Sequence, residues 1–190
     1  MRNLTNVVLK RVEEVDLGWL MEQRNNPELN QYFRQIKPIN LSEQHEWYKA
    51  FIGLAYIVLN RSFVPIGYVS LSHIDWVARH AEFGVFIVPS EQGKGYGKSA
   101  MEELLAHAFL DLNLNKVYSD VIANNPCIEN GFYEKLGFKY EGQLRQQYLK
   151  GGKYLDSVFI GILKNEYLAS GDGQYRQKAL QESSSVGPVG

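Results

Sequence analysis

The stretch Ile87-Val88-Pro89-Ser90-Glu91-Gln92-Gly93-Lys94-Gly95-Tyr96-Gly97-Lys98-Ser99-Ala100 passes from an apolar strand end through three alternate glycines into an amphipathic helix. Glycines let the backbone approach a ligand with no Cβ in the way. The free N–H groups of the first helical turn point at negative charge together with the positive end of the helix dipole. The run therefore reads as an anion cradle, and a phosphate-bearing ligand is expected.

Working outward, Ala100, Met101, Leu104, Leu105, Ala108, Phe109 and Leu112 form a broad apolar stripe, which predicts a helix of about three to four turns after the glycines. Before them, 56–59, 66–74 and 81–88 are rich in β-branched and aromatic residues and separated by turn chemistry, as in three consecutive antiparallel strands. Residues 7–12 read as a strand and 13–25 as a helix. Ser42 reads as the cap of a second helix carrying Trp47, Tyr48 and Phe51. Downstream, 117–123 reads as a strand, Asn125-Pro126 as the opening of a helix that stops at Gly137, and 138–142 and 156–163 as closing strands. The fold class is α/β (α+β), a mostly antiparallel mixed sheet flanked by helices. One domain over 1–168 is expected, with 169–190, which lacks apolar periodicity, as a mobile C-terminal tail that carries no site.

A chain of 190 residues suits one domain with a real core. Apolar residues make up 45% and charged residues 22%, away from disordered and membrane compositions. The net charge of −1 supplies no basic field for nucleic acid. The single cysteine, Cys127, excludes an internal disulfide and a cysteine-rich metal site, and no apolar run is long enough to span a membrane. A cytoplasmic setting is expected, with no metal, no nucleic acid and no membrane partner.

A nucleotide-triphosphate loop needs a glycine where Gln92 stands, although Gly97-Lys98-Ser99 matches its second half. A dinucleotide fingerprint needs uneven glycine spacing after a β-α-β unit, and Gly93, Gly95 and Gly97 are evenly spaced. What remains is Gln-x-x-Gly-x-Gly over 92–97. This loop, the preceding 81–89, the segment 112–118 and Phe132-Tyr133-Glu134-Lys135-Leu136-Gly137-Phe138 resemble, in order and spacing, the GNAT superfamily of N-acetyltransferases. The resemblance covers roughly 6–168 and reaches the branch of spermidine, ribosomal-protein N-terminal and nucleotide-amino-sugar acetyltransferases.

The resemblance implies acetyl-CoA as co-substrate and direct attack of a primary amine on its thioester. It places the pyrophosphate on Gln92, Gly93, Lys94, Gly95, Tyr96, Gly97 and Lys98, and an oxyanion donor at the strand end Phe86, Ile87 and Val88. Tyr133 is the expected hydrogen-bond donor to the leaving sulfur. The family's asparagine, normally seven residues before that tyrosine, would fall at Pro126, so its role is assigned to the neighbouring Asn125. Glu82 is the first candidate base, and Asp120 on the next strand is the second. Glu82 could equally pair with Arg79 or face solvent, and His73 and His80 read as packing or surface residues.

The acceptor is expected to be a small-molecule amine, and a homodimer is admitted. From 66 to 168 the chain looks most like spermidine acetyltransferases. In the first 60 residues, Arg24-Asn25-Asn26-Pro27 and His45-Glu46-Trp47 lie nearer the amino-sugar and ribosomal-protein branches, and acidic residues suited to a polycation are few. The leading expectation is therefore a nucleotide-linked amino sugar, with a polyamine or a protein N-terminus or lysine as alternatives. A non-catalytic acyl-CoA-binding module is the competing class.

Overall fold

The computed structural model describes residues 6–185, with backbone alone for 179–185. A seven-stranded sheet runs in the order β1-β2-β3-β4-β5-β7-β6. Its strands are β1 (Val7–Arg11), β2 (Gly53–Asn60), β3 (Pro65–Asp75), β4 (His80–Ile87), β5 (Lys116–Ile122), β6 (Lys139–Lys150) and β7 (Lys153–Leu163). All neighbours are antiparallel except β4 and β5. That mixed sheet is the expected architecture.

Helices cover both faces. α1 (Leu17–Asn25), α2 (Pro27–Asn30) and α3 (Leu41–Ala50) connect β1 to β2, and α4 (Tyr96–Ala106) connects β4 to β5. On the α1/α3 face Leu17 and Leu20 pack with Ala55, Ile57 and Leu59 of β2. On the α4 face Met101, Leu104 and Leu105 meet Val69, Leu71 and Phe83. The odd–even alternation of the strands supplies both cores at once.

Several local expectations change. α3 is capped by Asn40 rather than Ser42, because Asn40 Oδ1 accepts from Glu43 N at 2.9 Å while Glu43 Oε2 accepts from Asn40 N at 2.9 Å. This reciprocal pair satisfies two donors that a Ser42 cap would leave open. The helix after the glycine run ends in a π turn over His107–Asp111. The segment between Pro126 and Gly137 holds a short α5 (Pro126–Glu129) and a separate 3-10 turn (Glu134–Leu136), not one continuous helix.

The segment read as a tail is helical instead. After α6 (Lys164–Ala169) comes α7 (Gly171–Ser185), whose Arg176 hydrogen-bonds both Glu103 oxygens on α4 at 3.0 and 3.1 Å. A tertiary ion pair supplies what apolar periodicity does not; residues 186–190 of the expected tail lie outside the described residues. Among the described residues no helix is long and apolar enough to cross a membrane.

Candidate active site

The parallel pairing of β4 and β5 extends only over His80↔Lys116, Ala81↔Val117 and Glu82↔Tyr118. Beyond it both strands continue with other partners, β4 on β3 and β5 on β7. The sheet is thus split, and a cleft of about 710 Å³ opens in the split, lined from Glu82 to Ile87 on one side and from Ser119 to Ile122 on the other.

Pleat alternation decides which backbone groups face this cleft. Val88 N–H donates to Ile66 O at 2.9 Å, so even-numbered positions of β4 bond to β3. The odd positions Phe83, Val85 and Ile87 turn their N–H and C=O groups toward the split. Ile87 O accepts from Gln92 Nε2 at 2.8 Å on that side. Of the three expected oxyanion donors only Ile87 is therefore available, and Val85 joins it; Phe86 and Val88 face β3. Phe86 contributes its ring instead, stacked on Tyr68 at 5.6 Å between centroids.

At the Ile87 end the glycine run curls against the cleft. Gly93 and Gly95 adopt φ of 75° and 85°, the left-handed region that side chains resist. A Cβ at either would meet nothing of the protein within 4 Å, so the space over these two residues is open to a ligand. Gly95 caps α4, and the first intrahelical bond there is Ser99 N–H to Gly95 O at 3.1 Å. The N–H groups of Tyr96, Gly97 and Lys98 precede that bond and are left for an anion.

Gln92, Gly93, Gly95, Gly97 and Lys98 line the cleft; Lys94 and Tyr96 do not. Lys94 pairs with Glu91 at 3.1 Å, and the Tyr96 ring packs against the α4-face core. Asn125 lines the cleft, but its Oδ1 accepts from Cys127 N at 2.9 Å. Helix capping thus occupies the side-chain oxygen of Asn125.

Tyr133 is buried, 4% exposed, and its ring is locked between Phe83, Phe132 and Phe138 at centroid distances of 5.7, 5.1 and 5.9 Å. Its side chain lines the cleft. Burial pushes its pKa well above the ordinary tyrosine value. The hydroxyl therefore keeps its proton at neutral pH.

At the other end of the split, Glu82 and Asp120 come together. Glu82 does not meet Arg79: its Oε1 takes Arg34 Nη2 in a very short contact, and its Oε2 lies 3.1 Å from His73 Nδ1. Arg34 Nη2 also reaches Asp120 O at 3.3 Å and lies 3.8 Å from Asp120 Oδ2. Burial draws the Arg34 guanidinium down, but the hydrogen bond and charge of Glu82 outweigh it and hold the pKa above its usual value. Asp120 Oδ2 accepts from Tyr148 OH at 2.5 Å, whereas Asp120 Oδ1 is buried without a hydrogen-bond partner. Burial, reinforced by the bond to Asp120, pushes Tyr148 up to about 12.

Tyr148 and Lys150 are site residues the sequence reading missed. It ended the strand at Gly142, but β6 continues to Lys150 and turns through Gly151-Gly152 into β7. A Gly-Gly pair between alternating segments is a hairpin signal that could have revealed the extension. A register shift between Leu144 and Tyr148, with Gln146 at φ 53°, bends β6. Its far end puts Lys150 Nζ on Asn30 O at 3.1 Å and on Gln35 O.

The opposite wall is aromatic, with Trp47, Tyr68, Phe86 and Phe33 lining the cleft. Arg24 lies over the Trp47 ring at 5.0 Å and donates to Gln44 Oε1 at 2.8 Å. Among the described residues no group of three or more His, Cys, Asp or Glu side chains is placed to hold a metal ion.

Comparison with known proteins adds to this geometry. The family pattern described as an acetyltransferase (GNAT) domain matches residues 6–139. Spermidine N(1)-acetyltransferase of Vibrio cholerae is 30% identical over 168 residues, which covers 86% of this chain and 96% of that protein. The Escherichia coli K12 enzyme of the same name is 30% identical over 177 residues, covering 86% and 89%. A putative ribosomal N-acetyltransferase of Bacillus subtilis is 34% identical over 101 residues, about half of each chain. The crystal structure of the Vibrio cholerae enzyme in complex with CoA and spermine superposes with a TM-score of 0.80 at 30% identity, covering 86% of this chain and 98% of that one.

Proposed function

We propose, for a chain that belongs to the GNAT acetyltransferase family and is therefore an acetyl-CoA-dependent N-acetyltransferase, that the acceptor is a primary amine of a polyamine. Family membership sets aside the non-catalytic module. The observation that carries the acceptor reading is the pair of carboxylates, Glu82 and Asp120, at the point where β4 and β5 part. The likeness to spermidine N-acetyltransferases over nearly their whole length supports it and displaces the nucleotide-linked amino sugar as first choice.

The cleft suits acetyl-CoA. The open left-handed glycines and the free N–H groups of α4 would hold the pyrophosphate, and the unpaired edge of β4 would hold the extended arm. When bound, acetyl-CoA supplies a thioester carbonyl open to attack by an amine. The chain's residues meet the remaining needs. An alkyl ammonium with pKa near 10.4 must lose a proton at a cost of about 4.6 kcal/mol at pH 7. Asp120 Oδ1 is buried with no hydrogen-bond partner, so Asp120 takes the proton; Glu82, whose Oε1 already holds the Arg34 guanidinium, is the carboxylate placed to hold a cation and holds the ammonium beforehand. The N–H groups of Val85 and Ile87 stabilise charge developing on the carbonyl oxygen. Tyr133 donates to the departing sulfur; full proton transfer from a tyrosine of ordinary pKa to a thiolate is already uphill by about 2 kcal/mol, and burial raises that cost.

The test is thiol release from acetyl-CoA with spermidine, spermine, 1,4-diaminobutane, a nucleotide-linked amino sugar and an unacetylated peptide, with product masses recorded. Acetylated polyamine as the fastest product is expected. Turnover of the amino sugar or peptide with none of the polyamines would overturn the acceptor reading.

A further inference from the structure

The Glu82–Asp120 pair is not vacant of cations. Arg34 comes from the loop after α2, 48 and 86 positions away in sequence, and one of its nitrogens, Nη2, contacts Glu82 Oε1, Asp120 O and, at longer range, Asp120 Oδ2. A guanidinium thus sits where the charge of an acceptor ammonium would be most stabilised. The Arg34 side chain is 47% exposed, whereas those of Glu82 and Asp120 are 13% and 9% exposed. The carboxylates are fixed and partly desolvated, and the cation has a route to water.

The loop carrying Arg34 is pinned independently of that contact. Lys150 Nζ bonds the carbonyls of Asn30 and Gln35, which bracket the loop. Asn25 Oδ1 accepts from Gln35 Nε2 at 3.2 Å and from Ile39 N at 2.9 Å. With the backbone held at both ends, the Arg34 side chain can rotate away without unfolding its support.

We infer that Arg34 is a resident competitor cation: the acceptor ammonium enters by exchanging with its guanidinium on Glu82 and Asp120, so Arg34 sets how strongly the site discriminates acceptors by charge. This rests on the acceptor being a small amine. With Arg34 in place the three groups sum to one negative charge, and with it withdrawn to two. An acceptor with several cationic groups gains most from the second state, because each added charge interacts with a site left doubly negative. Asp120 Oδ1, buried and unpartnered, is the acceptor atom that the exchange would satisfy.

The experiment is steady-state kinetics on wild type, Arg34→Gln and Arg34→Lys with n-butylamine, 1,4-diaminobutane and spermidine as probes. Calorimetry of spermidine on the CoA-loaded proteins runs in parallel. In Arg34→Gln the KM and Kd for spermidine should fall about two- to fivefold, the scale of one partly exposed ion pair. The fall should be smaller for the diamine and smallest for butylamine, with kcat within about twofold in each case, while Arg34→Lys keeps wild-type discrimination. If Arg34 instead positions Glu82, Arg34→Gln lowers kcat while KM stays level or rises equally for all three amines, and that outcome overturns the exchange. The polyamine reading fails separately: if wild type and Arg34→Gln both prefer butylamine to spermidine, the acceptor is no polyamine. The KM response to butylamine still decides the exchange.

Discussion

The Tyr148 hydroxyl donates to Asp120 Oδ2 at 2.5 Å across 28 positions of sequence, and it leaves Asp120 Oδ1 buried and free. The shift in β6 accompanies this relationship: continued unshifted from Leu144↔Ser157, the register would set Tyr148 opposite Lys153 rather than Leu155. One oxygen of the carboxylate is thereby fixed in orientation while the other can take a proton. Asp120→Asn, which keeps the shape but loses the basic oxygen, is expected to lower kcat about 100-fold. Tyr148→Phe should lower it about 10- to 100-fold with acceptor KM little changed, the worth of one hydrogen bond to a charged group. Glu82→Gln should raise acceptor KM more than it lowers kcat. Saturation kinetics on the three variants checks the division, and a kcat for Asp120→Asn within twofold of wild type would return the base assignment to Glu82.

Tyr133→Phe removes a donor from a ring that three phenylalanines already hold, so the fold should be unaffected. Turnover is expected to fall about 10- to 100-fold, the value of a hydrogen bond to a charged sulfur, with CoA affinity within twofold. Single-turnover acetyl transfer paired with CoA calorimetry separates the two quantities. Wild-type single-turnover rates would make Tyr133 a packing residue.

Buried tyrosines tie stability to alkaline pH, and burial raises Tyr133 and Tyr167 as well as the two considered next. Burial is the main cause that pushes Tyr68 and Tyr148 up to about 12, whereas in the unfolded chain both titrate near pH 10. The folded state therefore binds their protons more tightly. The stability this confers is fully present below about pH 10 and is lost as pH rises toward 12. Urea midpoints should be flat on their account between pH 8 and about 9.5 and then fall, and Tyr148→Phe should fall less steeply than wild type over the same window. Equal slopes for the two proteins would show that Tyr148 ionises as easily folded as unfolded.

The strand, glycine turn and helix proposed to hold the donor were legible because their signals are local. Strand alternation up to Ile87, glycine spacing and the apolar stripe of α4 all lie within about 30 consecutive residues, and each has a fixed geometric meaning. The acceptor half is built from long-range partners. Glu82 pairs with Arg34, 48 positions away, rather than with the nearby Arg79, and Tyr148 and Lys150 arrive by a hairpin in which Gln146 N–H donates to Asp156 Oδ1 at 2.7 Å. No periodicity encodes such pairings. The oxyanion donors shifted from Phe86 and Val88 to Val85 for a related reason: composition marks the strand, but pairing with β3 decides which edge each N–H faces.

The glycines of the cradle should differ in what they tolerate. Gly95 sits at φ 85° with open space around it, so Gly95→Val strains the backbone by about 1–2 kcal/mol and fills the volume a pyrophosphate would use. Gly97 is helical, and a Cβ there would lie 3.6 Å from Ile87 Cγ1 and Phe132 Cζ, an ordinary contact. Gly97→Ala is expected to leave stability unchanged or raised by up to about 1 kcal/mol. Gly95→Val should lose CoA binding at least tenfold. Thermal unfolding with and without CoA reads both effects, and an undiminished CoA shift in Gly95→Val would remove the pyrophosphate from this loop.

The docking of α7 rests on Arg176, which spans Glu103 of α4 and Asp172 one turn earlier in its own helix, the latter at 3.0 Å from Nε. The Arg176 side chain is 20% exposed, so the bidentate pair is better shielded than a surface bridge. Arg176→Ala leaves Glu103 and Asp172 without their cation and should destabilise the chain by about 1–2 kcal/mol. The loss should appear first as faster amide exchange in 171–185, the helix that Arg176 joins to α4. Glu103→Gln should give a smaller loss with the same pattern, since an amide can keep one of the two bonds. Unchanged exchange in both variants would mean that Tyr167, packed on Phe109 at 5.1 Å and donating to Asp172 at 3.2 Å, holds the helix without the arginine.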